Sequence, residues 1–290
     1  MPIKLALTQP DSEHHINAIF YGGTGVGKTH LAGSAADYAP MSPVLLIDVE
    51  GGSLTLAGKK IDVFRPSGWK DVQDVYNHLR SEDHKYKTVI VDSLTEVQRK
   101  LSLGSIMGEL ESDGAGYDDL SRSVAPDRQD WLRTGEQMRK FIRAFRDLAW
   151  QARQQRRVHV IMTALEKLDD KQRLVTPEMP GKLGSGAGAF VDILGRLSVV
   201  PTEDDEGNVR ERRHLLVSSH EDARGIRYLA KNRGGRLGIQ VWEPTVEKVF
   251  GVWMNPESAE EKRRKQQAEY RRRKTEEQER MDDDDDEVEE

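Results

Sequence analysis

Hydrophobic residues along this chain gather in short continuous runs, and the segments between them carry apolar residues at helical spacing. Val44 to Ile47 and Val89 to Val91 are runs of this kind, and the mainly apolar stretches Ile16 to Tyr21, Ile61 to Phe64 and His159 to Ala164 also read as strands. A continuous apolar strand, bounded by turn residues, suits a parallel sheet covered on both faces. Thr29 to Tyr38 carries Leu31, Ala32, Ala35 and Ala36, and Trp69 to Leu79 carries Val72, Val75, Tyr76 and Leu79; both read as helices. Trp131 to Arg156 reads as a third, with Leu132, Met138, Ile142, Phe145, Leu148 and Ala149 on one side. Strands alternating with helices predict an α/β fold, with a mainly parallel central sheet flanked by helices.

The second half is less regular. Phe190 to Val200 is apolar again, Arg213 to Ser219 and Arg227 to Ala230 read as the strands of a hairpin, and Lys231 to Gly235 reads as a tight turn. Val246 to Met254 closes the core. Residues 103–130, rich in Gly, Ser and Asp, read as a long loop, and loops of that length in compact domains are often functional. Residues 180–188 form a glycine-rich loop. Three divisions follow: a leader at 1–12, a core at 13–254, and a charged segment at 255–290. The leader, where Ile3, Leu5 and Leu7 alternate, is either an edge strand or a disordered stretch. Lys262-Arg263-Arg264-Lys265 and Arg271-Arg272-Arg273-Lys274, interleaved with Glu, are either a solvated helix or a basic surface that touches phosphates. The acidic tail at 282–290 is expected to be disordered. It serves solubility, or it covers a basic groove until DNA or a protein partner displaces it.

The strongest chemical signal is Gly22-Gly23-Thr24-Gly25-Val26-Gly27-Lys28-Thr29, which fits the phosphate-loop pattern G-x-x-x-x-G-K-[ST] without a mismatch. It stands between a strand and a helix, the context that turns backbone N–H groups toward an anion. Glycines let the chain approach phosphate oxygens; Lys28 would reach the β- and γ-phosphates, and Thr29 would ligate Mg²⁺. His30 follows in the first helical turn and joins the candidate nucleotide contacts. The second signal is Thr88-Val89-Ile90-Val91-Asp92-Ser93, an apolar strand ending in an aspartate suited to hold Mg²⁺. The ligands expected are therefore ATP and Mg²⁺.

Composition narrows the rest. With 290 residues the chain has room for one large α/β domain or two small ones, and 32% charged residues make it polar. Cysteine is absent, which excludes disulfides, thiolate metal sites and cysteine nucleophiles. No run approaches a membrane span and no signal pattern opens the chain, so a cytoplasmic protein is expected, without membrane contact. The net charge of −6 does not argue against nucleic acid, because residues 282–290 supply so much of the acid.

Together these residues resemble a RecA-like ATPase over roughly residues 15–250. The run Leu45-Leu46-Ile47-Asp48-Val49-Glu50 matches the family's D-x-E element, whose Glu activates the attacking water; the resemblance makes Glu50 the catalytic base. Val89-Ile90-Val91-Asp92-Ser93 is similar to the family's V-V-D-S element. Lys231-Asn232-Arg233-Gly234 resembles the K-x-R element of hexameric replicative helicases and RadA-type proteins, where Lys and Arg reach from one subunit to the γ-phosphate held by its neighbour. Within the superfamily, Ile47 to Gly52, Val91 to Thr95, Pro180-Gly181-Lys182 and Phe190-Val191-Asp192 look most like phage-encoded RecA-like ATPases of the single-strand annealing type. One departure stands out. Where the family often places a polar sensor, this chain has Ala164 and Leu165, leaving Thr163 or Glu166 for that role.

The resemblance implies in-line attack of water on ATP. Lys28, Thr29, Glu50 and Asp92 would act in one subunit, and Lys231 and Arg233 would complete a neighbour's site in a homo-oligomeric ring or filament. Residues 103–130 and 168–188 correspond in order to the family's DNA-contacting loops and offer Arg122, Arg128, Lys167, Lys171, Arg173 and Lys182 to single-stranded DNA, without sequence preference. Two other readings stay open: a hexameric helicase or translocase, and an assembly factor that uses ATP as a structural ligand.

Overall fold

The computed structural model describes residues 15–81, 83–108, 125–150, 157–203 and 209–254. It divides into two compact units, Met1–Phe250 and Gly251–Glu290. In the second, the described residues are 251–254, the end of a helix. The leader, Arg122 and the charged segment at 255–290 lie outside the described residues.

In chain order the first half contains β1 (Asn17–Gly22), α1 (Lys28–Gly33), β2 (Val44–Asp48), β3 (Ile61–Phe64), α2 (Trp69–Ser81), β4 (Thr88–Asp92), α3 (Leu94–Glu96), α4 (Leu103–Ile106) and α5 (Arg128–Asp147). The second half contains β5 (His159–Asp169), β6 (Leu174–Pro177), β7 (Ile193–Glu203), β8 (Val209–Leu216), β9 (His220–Glu221), β10 (Arg227–Tyr228), β11 (Lys231–Asn232), β12 (Gln240–Trp242) and α6 (Val246–Met254). The main sheet runs β12-β8-β7-β1-β5-β4-β2-β3. From β7 to β3 every pairing is parallel. Antiparallel β8, β12 and β11 lie on the far side of β7. β1, β2 and β4 are buried along their whole length, as strands covered on both faces must be, while the edge strand β3 is only half-buried.

Helix formation follows local chemistry. An aspartate pair caps α5: the Asp130 amide donates to Asp127 at 2.8 Å and the Asp127 amide returns a bond to Asp130 at 3.0 Å. Its buried stripe, Thr134, Met138, Phe141, Ile142 and Phe145, has 3.6-residue spacing. Phe141 and Phe145 meet Trp69 and Tyr76 of α2, with ring centroids 6.0 and 5.7 Å apart.

Several sequence expectations are corrected. The helix expected over 29–38 stops at Gly33 and tightens into a 3-10 turn at Ser34–Asp37. There Ser34 Oγ donates back to the Leu31 carbonyl at 2.7 Å and accepts from the Val246 amide at 2.8 Å, a local bond that competes with the helix ladder. The loop expected from 103 contains α4, and the start of α5 falls inside it, so Arg128 is a helix residue. In place of an open loop from 168, β5 runs to Asp169 and folds back on β6. Arg213–Ser219 and Arg227–Ala230 do not form a hairpin. β8 pairs with β7 over eight residues, whereas β10 pairs with β6 and β9. The turn expected at 231–235 begins as β11 on the edge of β7 and turns only at Arg233–Gly235.

Candidate functional site

The phosphate loop leaves β1 at the C-terminal edge of the sheet. A Cβ on Gly22 would stand 2.2 Å from the Leu197 carbonyl oxygen, so no side chain fits there. Gly25 and Gly27 have φ of 77° and 99°, the left-handed region that glycine alone enters cheaply. Lys28 is buried, and its Nζ curls back to donate to the Gly23 carbonyl at 2.8 Å and the Gly22 carbonyl at 3.2 Å. Burial pushes this ammonium below the usual lysine range, and the charges of Glu50, Asp92 and Glu166 oppose the shift. Thr24 and Gly25 at the loop tip are exposed, Val26 is half-buried, and His30 is an exposed residue of α1.

Beside the loop stand the donors expected for Mg²⁺. Thr29 Oγ1 donates to Asp92 Oδ2 at 2.7 Å, and Thr163 donates to the other Asp92 oxygen. Asp92 is 1% exposed, and burial raises its pKa, against the pull of the two hydroxyls. A buried carboxylate beside a hydroxyl is a hard-oxygen donor set suited to Mg²⁺. Gly52 keeps the space open: a Cβ there would stand 3.3 Å from Asp92 Oδ2 and 3.4 Å from Thr29 Oγ1. Among the described residues no cluster of three His, Asp or Glu side chains could hold a metal alone. Substrate phosphates and water would have to complete the shell, which is how Mg²⁺ is commonly held.

The D-x-E element divides its labour. Asp48, 3% exposed, accepts from the amides of Gly51 at 2.7 Å and Gly52 at 3.1 Å and so ties the turn after β2. The Asp92 carbonyl accepts from the amides of Val49 at 2.8 Å and Glu50 at 3.1 Å. The turn is thereby fastened to the end of β4, and Glu50 is exposed beside the loop, near enough for its charge to act on both Lys28 and Asp92.

The two sensor candidates have different surroundings. Thr163 is bound to Asp92, bracing the carboxylate. Glu166 pairs with Arg196 at 2.8 and 3.3 Å, and Arg196 lies over the Tyr228 ring at 4.4 Å. A Cβ on Gly23 would stand 3.9 Å from Glu166, so the pair sits at the mouth of the loop. The backbone here is fixed by the Leu165 amide, which donates to Thr95 Oγ1 at 3.0 Å. Arg196 and Arg213, whose guanidinium lies against Gly27, escaped the sequence reading. A lone Arg inside the apolar run 190–200 was the available signal for the first.

Lys231 and Arg233 are not brought to this chain's own loop. β11 pairs with the first residues of β7, Lys231 opposite Leu194, and Leu194 lies opposite Ile19. Ile19 to Gly22 is three residues of strand, roughly 10 Å. Both cations are thus toward the other end of the sheet. Lys231 Nζ donates to the carbonyls of Gly188 at 2.5 Å and Val191 at 2.8 Å, and burial lowers its pKa. Arg233 is exposed and pairs with Asp192 at 2.7 Å. Of the cations expected to meet DNA, Lys167, Lys171 and Arg173 are exposed on or beside the β5–β6 hairpin, and Lys182 is exposed on the following turn.

A family model described as an AAA domain matches residues 14–233. No curated protein sequence matches the chain. Among solved structures, the fold is similar to a RadB recombinase, at 17% identity and a TM-score of 0.41, covering 81% of this chain and 90% of that one. It is also similar to the flagellar accessory protein FlaH from Methanocaldococcus jannaschii, at 10% identity and a TM-score of 0.36, covering 76% and 80%. Among the described residues no helix is long and apolar enough to cross a membrane.

Proposed function

We propose, from the premise that the chain belongs to the AAA domain family, that it binds and hydrolyses ATP with Mg²⁺ and acts on single-stranded DNA in recombination or annealing. The observation that carries the nucleotide chemistry is the convergence of Lys28, the Thr29–Asp92 pair and Glu50 on one glycine loop. Loop amides and Lys28 hold the phosphates and stabilise the charge that builds on the transferring phosphoryl group. Thr29 and Asp92 would hold Mg²⁺, which when bound neutralises charge on the β- and γ-phosphates. Glu50 orients the attacking water and accepts its proton, a contribution of about 10²–10⁴-fold for a positioned base.

Lys231 and Arg233, remote from their own loop, are proposed to serve the site of a second copy in a ring or filament. The exposed lysines of the β5–β6 hairpin support DNA contact that is electrostatic and salt-sensitive. The charged segment at 255–290 is a candidate contact for nucleic acid or a protein partner. A phage origin and the cytoplasm remain expectations from sequence.

The test is steady-state ATP hydrolysis with and without single-stranded DNA, for wild type, Lys28→Ala and Glu50→Gln. Expected is DNA-stimulated turnover, abolished by Lys28→Ala and reduced at least 100-fold by Glu50→Gln while nucleotide binding persists. Turnover indifferent to DNA would refute the coupling. Binding without turnover would favour ATP as a structural ligand, and ATP-driven strand separation would favour a motor.

A further inference from the structure

Beyond the end of β1, the antiparallel pair β7–β8 continues and overhangs the phosphate loop. The register gives the offset. Tyr21 lies opposite Arg196, and Val199, three residues further along β7, lies opposite Arg213. The approach is close: Arg213 Nε stands 2.8 Å from the position a Cβ on Gly27 would take. The guanidinium therefore rests on the last glycine of the loop, next to Lys28 and Thr29.

Arg213 is exposed, and among the described residues no carboxylate forms an ion pair with its guanidinium. Its backbone is nonetheless fixed at both polar groups. The Arg213 amide donates to Glu243 Oε1 at 3.0 Å, and its carbonyl accepts from the Glu243 amide at 2.9 Å. Arg212, on the opposite face of the strand, is engaged by protein. It lies over the Trp242 ring at 5.1 Å and 3.8 Å from the Glu243 carboxylate. Of two adjacent arginines, one is taken up by the fold and the other faces a loop shaped for anions.

We infer that Arg213 is a nucleotide-contacting residue of the same subunit. Its guanidinium binds phosphate oxygens held at the Gly27 end of the loop, oxygens that ADP and ATP share. The inference rests on the phosphate-loop reading above, and it separates Arg213 from Lys231 and Arg233, which lie toward the other end of the sheet. A guanidinium offers phosphate a planar fork that an ammonium cannot reproduce.

The experiment is fluorescence titration of N-methylanthraniloyl-ADP and -ATP, with Mg²⁺, into wild type, Lys28→Ala, Arg213→Ala and Arg213→Lys. Melting of each nucleotide-free protein is measured alongside. Arg213→Ala is expected to weaken both nucleotides by roughly tenfold or more, the loss of one charge-assisted bond. Arg213→Lys should recover part of that loss, with melting little changed. Both affinities within twofold of wild type, while Lys28→Ala loses binding, would overturn the inference. So would a loss confined to ATP, or a loss matched by a fall in melting temperature, which would make Arg213 a brace for the loop. If wild type binds neither nucleotide, the phosphate-loop reading itself fails and the inference falls with it.

Discussion

Asp92→Asn should make the nucleotide-free protein more stable while abolishing its Mg²⁺-dependent turnover. Asp92 is 1% exposed, between the hydroxyls of Thr29 and Thr163, with the charges of Asp48 and Glu50 opposing its ionisation. Burial is the largest influence and raises its pKa above the unfolded value of about 3.9. Below that value the group is protonated in both folded and unfolded chains and the substitution changes little. Above the raised folded value, only the native state confines a charge, so stability falls as pH rises through the interval between them. Asparagine keeps the shape and both hydroxyl contacts, accepting from one and donating to the other. Each pKa unit by which the fold raises Asp92 corresponds to about 1.4 kcal/mol that asparagine relieves, and the loss of charge assistance in two hydrogen bonds and of the attraction for Lys28 offsets part of it. A net gain of about 2 kcal/mol would raise the melting temperature by roughly 4–8 °C for a domain of this size. Scanning fluorimetry with a chelator, from about pH 4 to about pH 8, checks this. The difference should be near zero at the acid end and grow with pH. An Asp92→Asn protein that melts at or below wild type at the alkaline end, or a difference that ignores pH, would refute the reasoning.

Gly27→Ala should lose nucleotide binding, because the residue has a φ of 99° and its new methyl would meet the Arg213 guanidinium; isothermal titration with ADP measures it. Mixing Lys28→Ala with Lys231→Ala should restore turnover that neither has alone, since each variant keeps the half of the shared site that the other lacks. No restoration at any ratio would count against a composite site. Mixing Lys28→Ala with Arg213→Ala should restore nothing, because both defects lie in the same subunit's half.

Much of the parallel sheet was legible because its strands announce themselves. Val44 to Ile47 and Val89 to Val91 are covered on both faces and are apolar at every position, and the acidic residues that follow mark where the strands leave the core. Lys28 and Thr29 were legible as candidates because the glycine-loop pattern is complete, and Asp92, weak as a strand-end aspartate alone, became one through its place downstream of that loop. The antiparallel part was not. β8 is exposed over most of its length and rich in arginine, so it carries no hydrophobic period, and its pairing with β7 is set by register across a turn. Arg213 was hidden for that reason. Nothing in its neighbourhood in sequence tells that the strand passes over Gly27.

One sheet thus bears cations toward both ends, and their surroundings differ. At the C-terminal edge, Lys28 and Arg213 flank a loop whose backbone is shaped for anions, with Asp92 and Glu50 close by. Lys231, toward the N-terminal end, is anchored to two carbonyls, and Arg233 beside it is exposed and paired with Asp192, whose carboxylate also accepts from the Asn17 amide at 3.2 Å. Asn17 begins β1, the strand that delivers the phosphate loop at its other end. Asp192 therefore ties Arg233 to the start of the strand whose other end carries the loop.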